Sequence, residues 1–201
     1  MRQRPVQDVS ELSTYGFGSD STIWWGTIGF IVLEGTGFAL AVGAYFYLVQ
    51  TNPQWPLGAP PLNHWPGTAM LILLLASVVP NQILNRRARN HDLWSVRLLL
   101  VLMSVLGLVT LGIRAWEFAW LNIKWDENAY GSIVWFVLGL HATHLITDVG
   151  DTLVLTALMF TRHAHGKRFS DVCDNAFYWN FVVASWIPLY LLIYWGPRLW
   201  S

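Results

Sequence analysis

Five apolar runs, each long enough to cross a bilayer, decide what this 201-residue chain can become. They cover about residues 23–49, 65–84, 93–121, 130–160 and 176–195. Backbone N–H and C=O groups in hydrocarbon must be paired within a helix or around a closed barrel. The runs show no barrel-like alternation, and no connection between them holds a soluble domain. The pattern therefore predicts an all-α polytopic membrane protein, a bundle of five transmembrane helices forming one domain over residues 1–201. Charge supports this: 12% of the residues are charged, against about 25% in a soluble globular chain. A formal net charge of zero leaves no footprint for a nucleic acid. The single cysteine, Cys173, excludes an internal disulfide and a cage of cysteine ligands.

Lys and Arg predict the orientation. Arg2 and Arg4 precede the first run, Arg86, Arg87 and Arg89 fill the second connection, and Arg162, Lys167 and Arg168 fill the fourth. The first connection, 50–64, has none, and the third sets Lys124 against Asp126 and Glu127. The positive-inside rule puts the N-terminus in the cytoplasm and the C-terminus outside. Residues 1–22 are polar and lack the order of a signal peptide, so the first helix is expected to act as its own insertion signal. Tryptophans at the ends of the runs, such as Trp24, Trp65, Trp94 and Trp195, suit interfacial anchors.

Ionisable residues interrupt this apolar frame. The fourth run carries His141, His144, Asp148 and Asp151. At roughly 100° per residue they fall within about 80° of one another on a helix. Such groups face a partner or a cavity rather than lipid. Glu34 lies about 16 Å along the first helix at 1.5 Å per residue, at a depth like that of Asp148, and is expected to meet the His144/Asp148 face. Arg114 and Glu117, three residues apart, suit a same-helix ion pair or a pair with another chain. Gly35, Ala39 and Gly43 form a stripe of small residues that lets another helix approach closely. Pro80 predicts a kink or an early end of the second helix. His163 and His165, among basic residues, read as a solvated cytoplasmic face. The acids and imidazoles form either a polar seam, structural or proton-related, or a metal or haem site on the fourth helix. The second alternative needs donors from another helix, and Glu34 is the obvious one. No phosphate loop, nucleophile elbow, zinc-protease motif or haem-attachment motif is present. No catalytic residue is assigned.

Four ordered segments resemble subunit III of the haem-copper terminal oxidases of the cytochrome c oxidase type. Phe30-Ile31-Val32-Leu33-Glu34 with Gly43-Ala44-Tyr45-Phe46 resembles the family's membrane-embedded Glu and its Ala-Tyr-Phe. Arg114-Ala115-Trp116-Glu117-Phe118 resembles its Gln-Ala-x-Glu segment. Tyr130-Gly131-Ser132 with Gly139-Leu140-His141-Ala142-Thr143-His144 resembles Tyr-Gly-Ser followed by Gly-x-His-Gly-x-His. Tyr178-Trp179-Asn180-Phe181-Val182, continued through Trp186 to Tyr194-Trp195-Gly196, resembles the closing segment. There the family's His and Asp are replaced by Asn180 and Val183, and Asp148 and Asp151 stand where it has Gly and an apolar residue. The two extra N-terminal helices of seven-helix members are not in this sequence.

The resemblance implies an accessory subunit of an oxidoreductase complex, itself non-catalytic, that binds no haem or copper. It would pack against catalytic subunit I, which reduces O₂ and pumps protons, with subunit II in the same complex. It would support turnover and proton uptake. Haem and copper would sit in the partner subunits, phospholipid at this chain's surface, and the whole in a bacterial cytoplasmic membrane. Two alternatives remain open: a subunit-III-like partner of nitric oxide reductase, and a stand-alone metal or haem protein using the His141/His144/Asp148/Asp151 face.

Overall fold

The computed structural model describes residues 15–200, apart from 61, 163 and 165. Five helices in it are long and apolar enough to cross a membrane, and no strand occurs among the described residues. They are α1 (Thr22–Thr51), α2 (His64–Arg89), α3 (Leu93–Ala119), α4 (Ala129–Met159) and α5 (Lys167–Tyr190). The last continues through a π-helical turn, Leu191–Trp195, into a short α6, Gly196–Trp200. At 1.5 Å per residue the spans run about 36–47 Å, longer than a hydrocarbon core of about 30 Å. Their ends therefore reach into the polar interface.

Three of the helices start on side-chain caps. Asn63 accepts from Trp65 N–H, Asp92 from Ser95 N–H and Asn128 from Gly131 N–H, each satisfying an amide that the first turn leaves open. A Cβ on Gly131 would lie 2.2 Å from the Lys124 carbonyl. That contact explains the glycine between Tyr130 and Ser132.

Several boundaries differ from those read in the sequence. Arg86, Arg87 and Arg89 are in the last turn of α2, where positive charge suits the helix dipole. The connection to α3 shrinks to residues 90–92. The second helix does not end at Pro80. On either side of it, Ser77 accepts from Trp179 Nε1 at 2.8 Å, and Asn81 Nδ2 donates to the Ala176 carbonyl at 2.8 Å. Both contacts tie α2 to α5 through the proline. The fifth helix begins at Lys167, not near residue 176, because Lys167–Asn175 forms a helix with a polar face. Of the basic and histidine residues named above, Arg2, Arg4, His163 and His165 lie outside the described residues.

Packing sets α2 against α3 and α5, α3 against α4, and α4 against α5; α1 lies against α4 and α5. The core falls on α4 and α5. In their most apolar stretches 56% of residues are buried, against 11% in α1. Helix α1 inserts only Phe38, Ala41 and Tyr45 into the core, at one-turn spacing.

Candidate functional site

Near the end of the bundle where α1 stops and α2 begins, four elements meet on a buried ion pair. Arg114 and Glu117 are 3% and 1% exposed, with Nη1 and Oε2 2.5 Å apart. The guanidinium lies 4.1 Å over the Trp186 ring. Its Nη2 is 2.8 Å from His141 Nδ1. Arginine only donates, so Nδ1 accepts and His141 carries its proton on Nε2. That nitrogen donates to the Val182 carbonyl at 3.1 Å. Both ring nitrogens are thereby engaged, leaving His141 no lone pair for a metal or haem iron.

Tyr194 donates to the other Glu117 oxygen, Oε1. It stands in the π-helical turn, where an extra residue per turn shifts the register of the residues beyond it. Its ring fits the space left by Gly67 on α2: a Cβ there would meet Tyr194 Cε2 at 2.4 Å. One turn earlier, Tyr190 and Thr68 share a hydrogen bond of 2.8 Å. Glu117 thus holds α3 to the end of the last span, and His141 ties α4 to α3 and α5.

A second cluster joins α1, α4 and α5 nearer the start of α1. Glu34 Oε1 is 3.3 Å from His144 Nε2, and its Oε2 accepts from Tyr178 at 2.6 Å. His144 Nδ1 donates to the Leu140 carbonyl at 2.6 Å, so a hydrogen bond to Glu34 requires one proton on either Nε2 or the carboxyl. Phe38 packs on the imidazole with centroids 4.7 Å apart. The expected meeting of Glu34 with helix four falls on His144. No hydrogen bond joins Glu34 to Asp148 among the described residues.

Asp148 turns instead to α5. The Asn175 amide donates to Asp148 Oδ1 at 2.9 Å and to Asp151 Oδ2 at 3.2 Å. Asn175 is itself oriented by Thr152, which donates to its Oδ1 at 3.1 Å. Asp148 is 2% exposed, yet its Oδ2 has no hydrogen-bond partner among the described residues. These groups border a cavity of about 750 Å³ between α1, α4 and α5.

The small-residue stripe does not form a seam within this chain. Among the described residues, a Cβ on Gly35 would touch only Phe181, at 3.9 Å, a Cβ on Gly43 would meet nothing within 4 Å, and Ala39 is exposed. The bulkier Phe38 and Tyr45 take the buried side of α1, turning the small residues outward.

Tyr178, Tyr194, Trp186, Gly67 and Asn175 were not singled out as site residues from the sequence. For Asn175, the available signal was an amide and two acids, Asp171 and Asp174, on one polar face. Asn180, in place of the family's histidine, accepts from Asn81 at 3.1 Å. Val183 is in the core at 3% exposure. Both departures are thus absorbed in packing of the last helix.

Carboxyls, imidazoles and phenols at these distances can bind helices together and hold or pass protons. All four motif segments converge on these two clusters, with Tyr45 and Tyr130 meeting on either side of Trp55, each ring 5.3 Å from it.

No family model matches the chain. Among known proteins it is similar to "Cytochrome c oxidase subunit 3" of Mus musculus, 32% identical over 186 residues that cover 85% of this chain and 68% of that protein. The protein of that name from Corynebacterium diphtheriae is 28% identical over 176 residues, covering 84% of this chain and 85% of its own length. The one from Thermostichus vulcanus is 23% identical over 172 residues, with the same coverage.

Proposed function

The chain belongs to the cytochrome c oxidase subunit III family, and we propose that it acts as the accessory subunit of a haem-copper terminal oxidase by stabilising catalytic subunit I. It is a multi-pass membrane protein; a bacterial cytoplasmic membrane, with α1 starting on the cytoplasmic side, is the setting proposed here. The carrying observation is convergence: residues from all four family-like segments meet in buried contacts, though they lie far apart in sequence. A chain built this way keeps its polar groups for joining helices and for protons. Haem and copper would sit in the partner subunits, with O₂ reduction in subunit I. Proton uptake on the cytoplasmic side would draw on the Glu34 cluster, and membrane lipids would cover the outer faces.

The test is isolation of the native complex, with a subunit inventory and a haem spectrum. Co-purification with haem-copper subunits is the expected result. A nitric oxide reductase pair in their place would move the chain to that complex. Stoichiometric iron, copper or zinc on the separated chain, lost on replacing His144, would overturn the accessory reading.

A further inference from the structure

The cavity between α1, α4 and α5 is lined by two unlike kinds of side chain. Ile23 and Phe30 of α1 and Val154 and Leu158 of α4 give it apolar walls. Asp148 and Asp151 of α4 and Asp171 and Asp174 of α5 add carboxyls to the same walls, and among the described residues Arg168 is the one basic residue lining it. Arg168 is already engaged with Asp171, Nη1 to Oδ2 at 2.8 Å. A carboxyl at membrane depth must keep a proton or meet a cation. Asp148 lines this space; its Oδ2 and that of Asp174 are buried without a hydrogen-bond partner among the described residues. About 750 Å³ is far more room than a proton needs.

We infer that this cavity receives a lysine side chain from a transmembrane helix of a neighbouring subunit, its ammonium placed on Asp148. An apolar stem with a charged tip suits a space lined by both apolar side chains and carboxyls. Lysine fits better than arginine because Asn175 already donates to Asp148 Oδ1, while Oδ2 has no partner among the described residues. A single unpartnered oxygen suits a compact ammonium better than a two-pronged guanidinium. The occupant comes from a membrane helix because the cavity opens beside α1, the least covered span. Basic residues also gather at the cytoplasmic ends of such helices. The inference rests on the proposal that the chain works inside a complex.

The test carries Asp148→Asn and Asp151→Asn together in the native complex, extracted in mild detergent. Subunits are counted by mass spectrometry at equal amounts of this chain. The expected result is loss of one partner subunit by about tenfold or more, with Asp148→Glu retaining it. Equal retention by the paired variant overturns the inference and leaves the family role intact. So does retention of every subunit with loss of a co-purifying aminophospholipid, which makes the occupant a lipid. A wild-type chain that brings no partner overturns both readings. If the paired variant does not accumulate, carbodiimide coupling of the wild-type complex decides. A peptide joining Asp148 or Asp151 to a lysine of another subunit supports the site, and its absence refutes it.

Discussion

Replacing Glu117 by glutamine isolates the energetics of the buried Arg114 cluster. Glutamine keeps the shape and one of the two acceptor oxygens that serve Arg114 and Tyr194, and removes the carboxylate charge. Arg114, 3% exposed, then retains the Trp186 face and the His141 nitrogen as its neighbours. Breaking a buried pair by removing one partner costs about 3–5 kcal/mol. The remaining acceptor and the ring, the latter worth up to about 2 kcal/mol when desolvated, put the expected loss at the lower end, about 3 kcal/mol. For a chain of this size that lowers the melting temperature by roughly 6–12 °C, at about 2–4 °C per kcal/mol. Arg114→Met combined with Glu117→Gln removes the orphaned charge, and apolar replacement of a whole buried pair is often near neutral. Thermal unfolding of the wild type, Glu117→Gln, Arg114→Met and the double variant, purified in detergent and followed by circular dichroism, closes the cycle. The double variant should be more stable than Glu117→Gln alone, with a coupling energy of about 2 kcal/mol. Coupling below about 0.5 kcal/mol, the scatter of independent sites, would refute the pairing as a source of stability.

The same geometry sets further outcomes. Glu34→Leu should destabilise by about 1–3 kcal/mol for each polar partner it strands, Tyr178 and His144, whereas Glu34→Gln should lose less than half as much; equal melting temperatures would rule out the contact. Gly67→Ala should cost about 1–3 kcal/mol through overpacking against Tyr194, while Gly43→Ala, with open space around it, should be neutral or slightly stabilising. An acid titration of stability tests Asp92, the cap of α3. Hydrogen bonds from Ser95, first from its hydroxyl, and then the Arg87 guanidinium hold the Asp92 carboxyl below the usual range. Its contribution is therefore complete above the ordinary carboxylate value of about 4, and fades as pH falls through the lowered folded value. Asp92→Asn should flatten the stability profile in that acid window and leave its slope above pH 6 unchanged.

How far the sequence could be read depended on what each residue needed from its neighbours. Span existence was legible because apolar length alone decides it. The start of α5 was not, since Lys167–Asn175 is polar and its helical face shows only when α1 and α4 frame the cavity. Arg114 with Glu117 was visible as a three-residue spacing, and the approach of Glu34 to the His144/Asp148 face as a match of its depth with that of Asp148, although the contact falls on His144. Tyr194 was hidden because a π-helical turn changes the angle at which later side chains leave the helix. The contact of Asp148 with Asn175 depends on the rotation of α4 against α5, which periodicity does not determine. On α1 the small residues suggested a seam, but burying Phe38 and Tyr45 removes more apolar surface from lipid and sets the rotation.

The position of α1 also sets a timetable for biogenesis. It is the earliest of the spans to leave the ribosome, yet its neighbours within the chain are α4 and α5. Tyr178 follows Glu34 by 144 residues. At a translation speed of about 5–20 residues per second, the carboxyl waits roughly 7–30 s for the phenol that will hold it. During that interval a lone acidic group must sit in the translocon or the nascent bilayer. Whatever shelters it there governs the yield of the finished subunit.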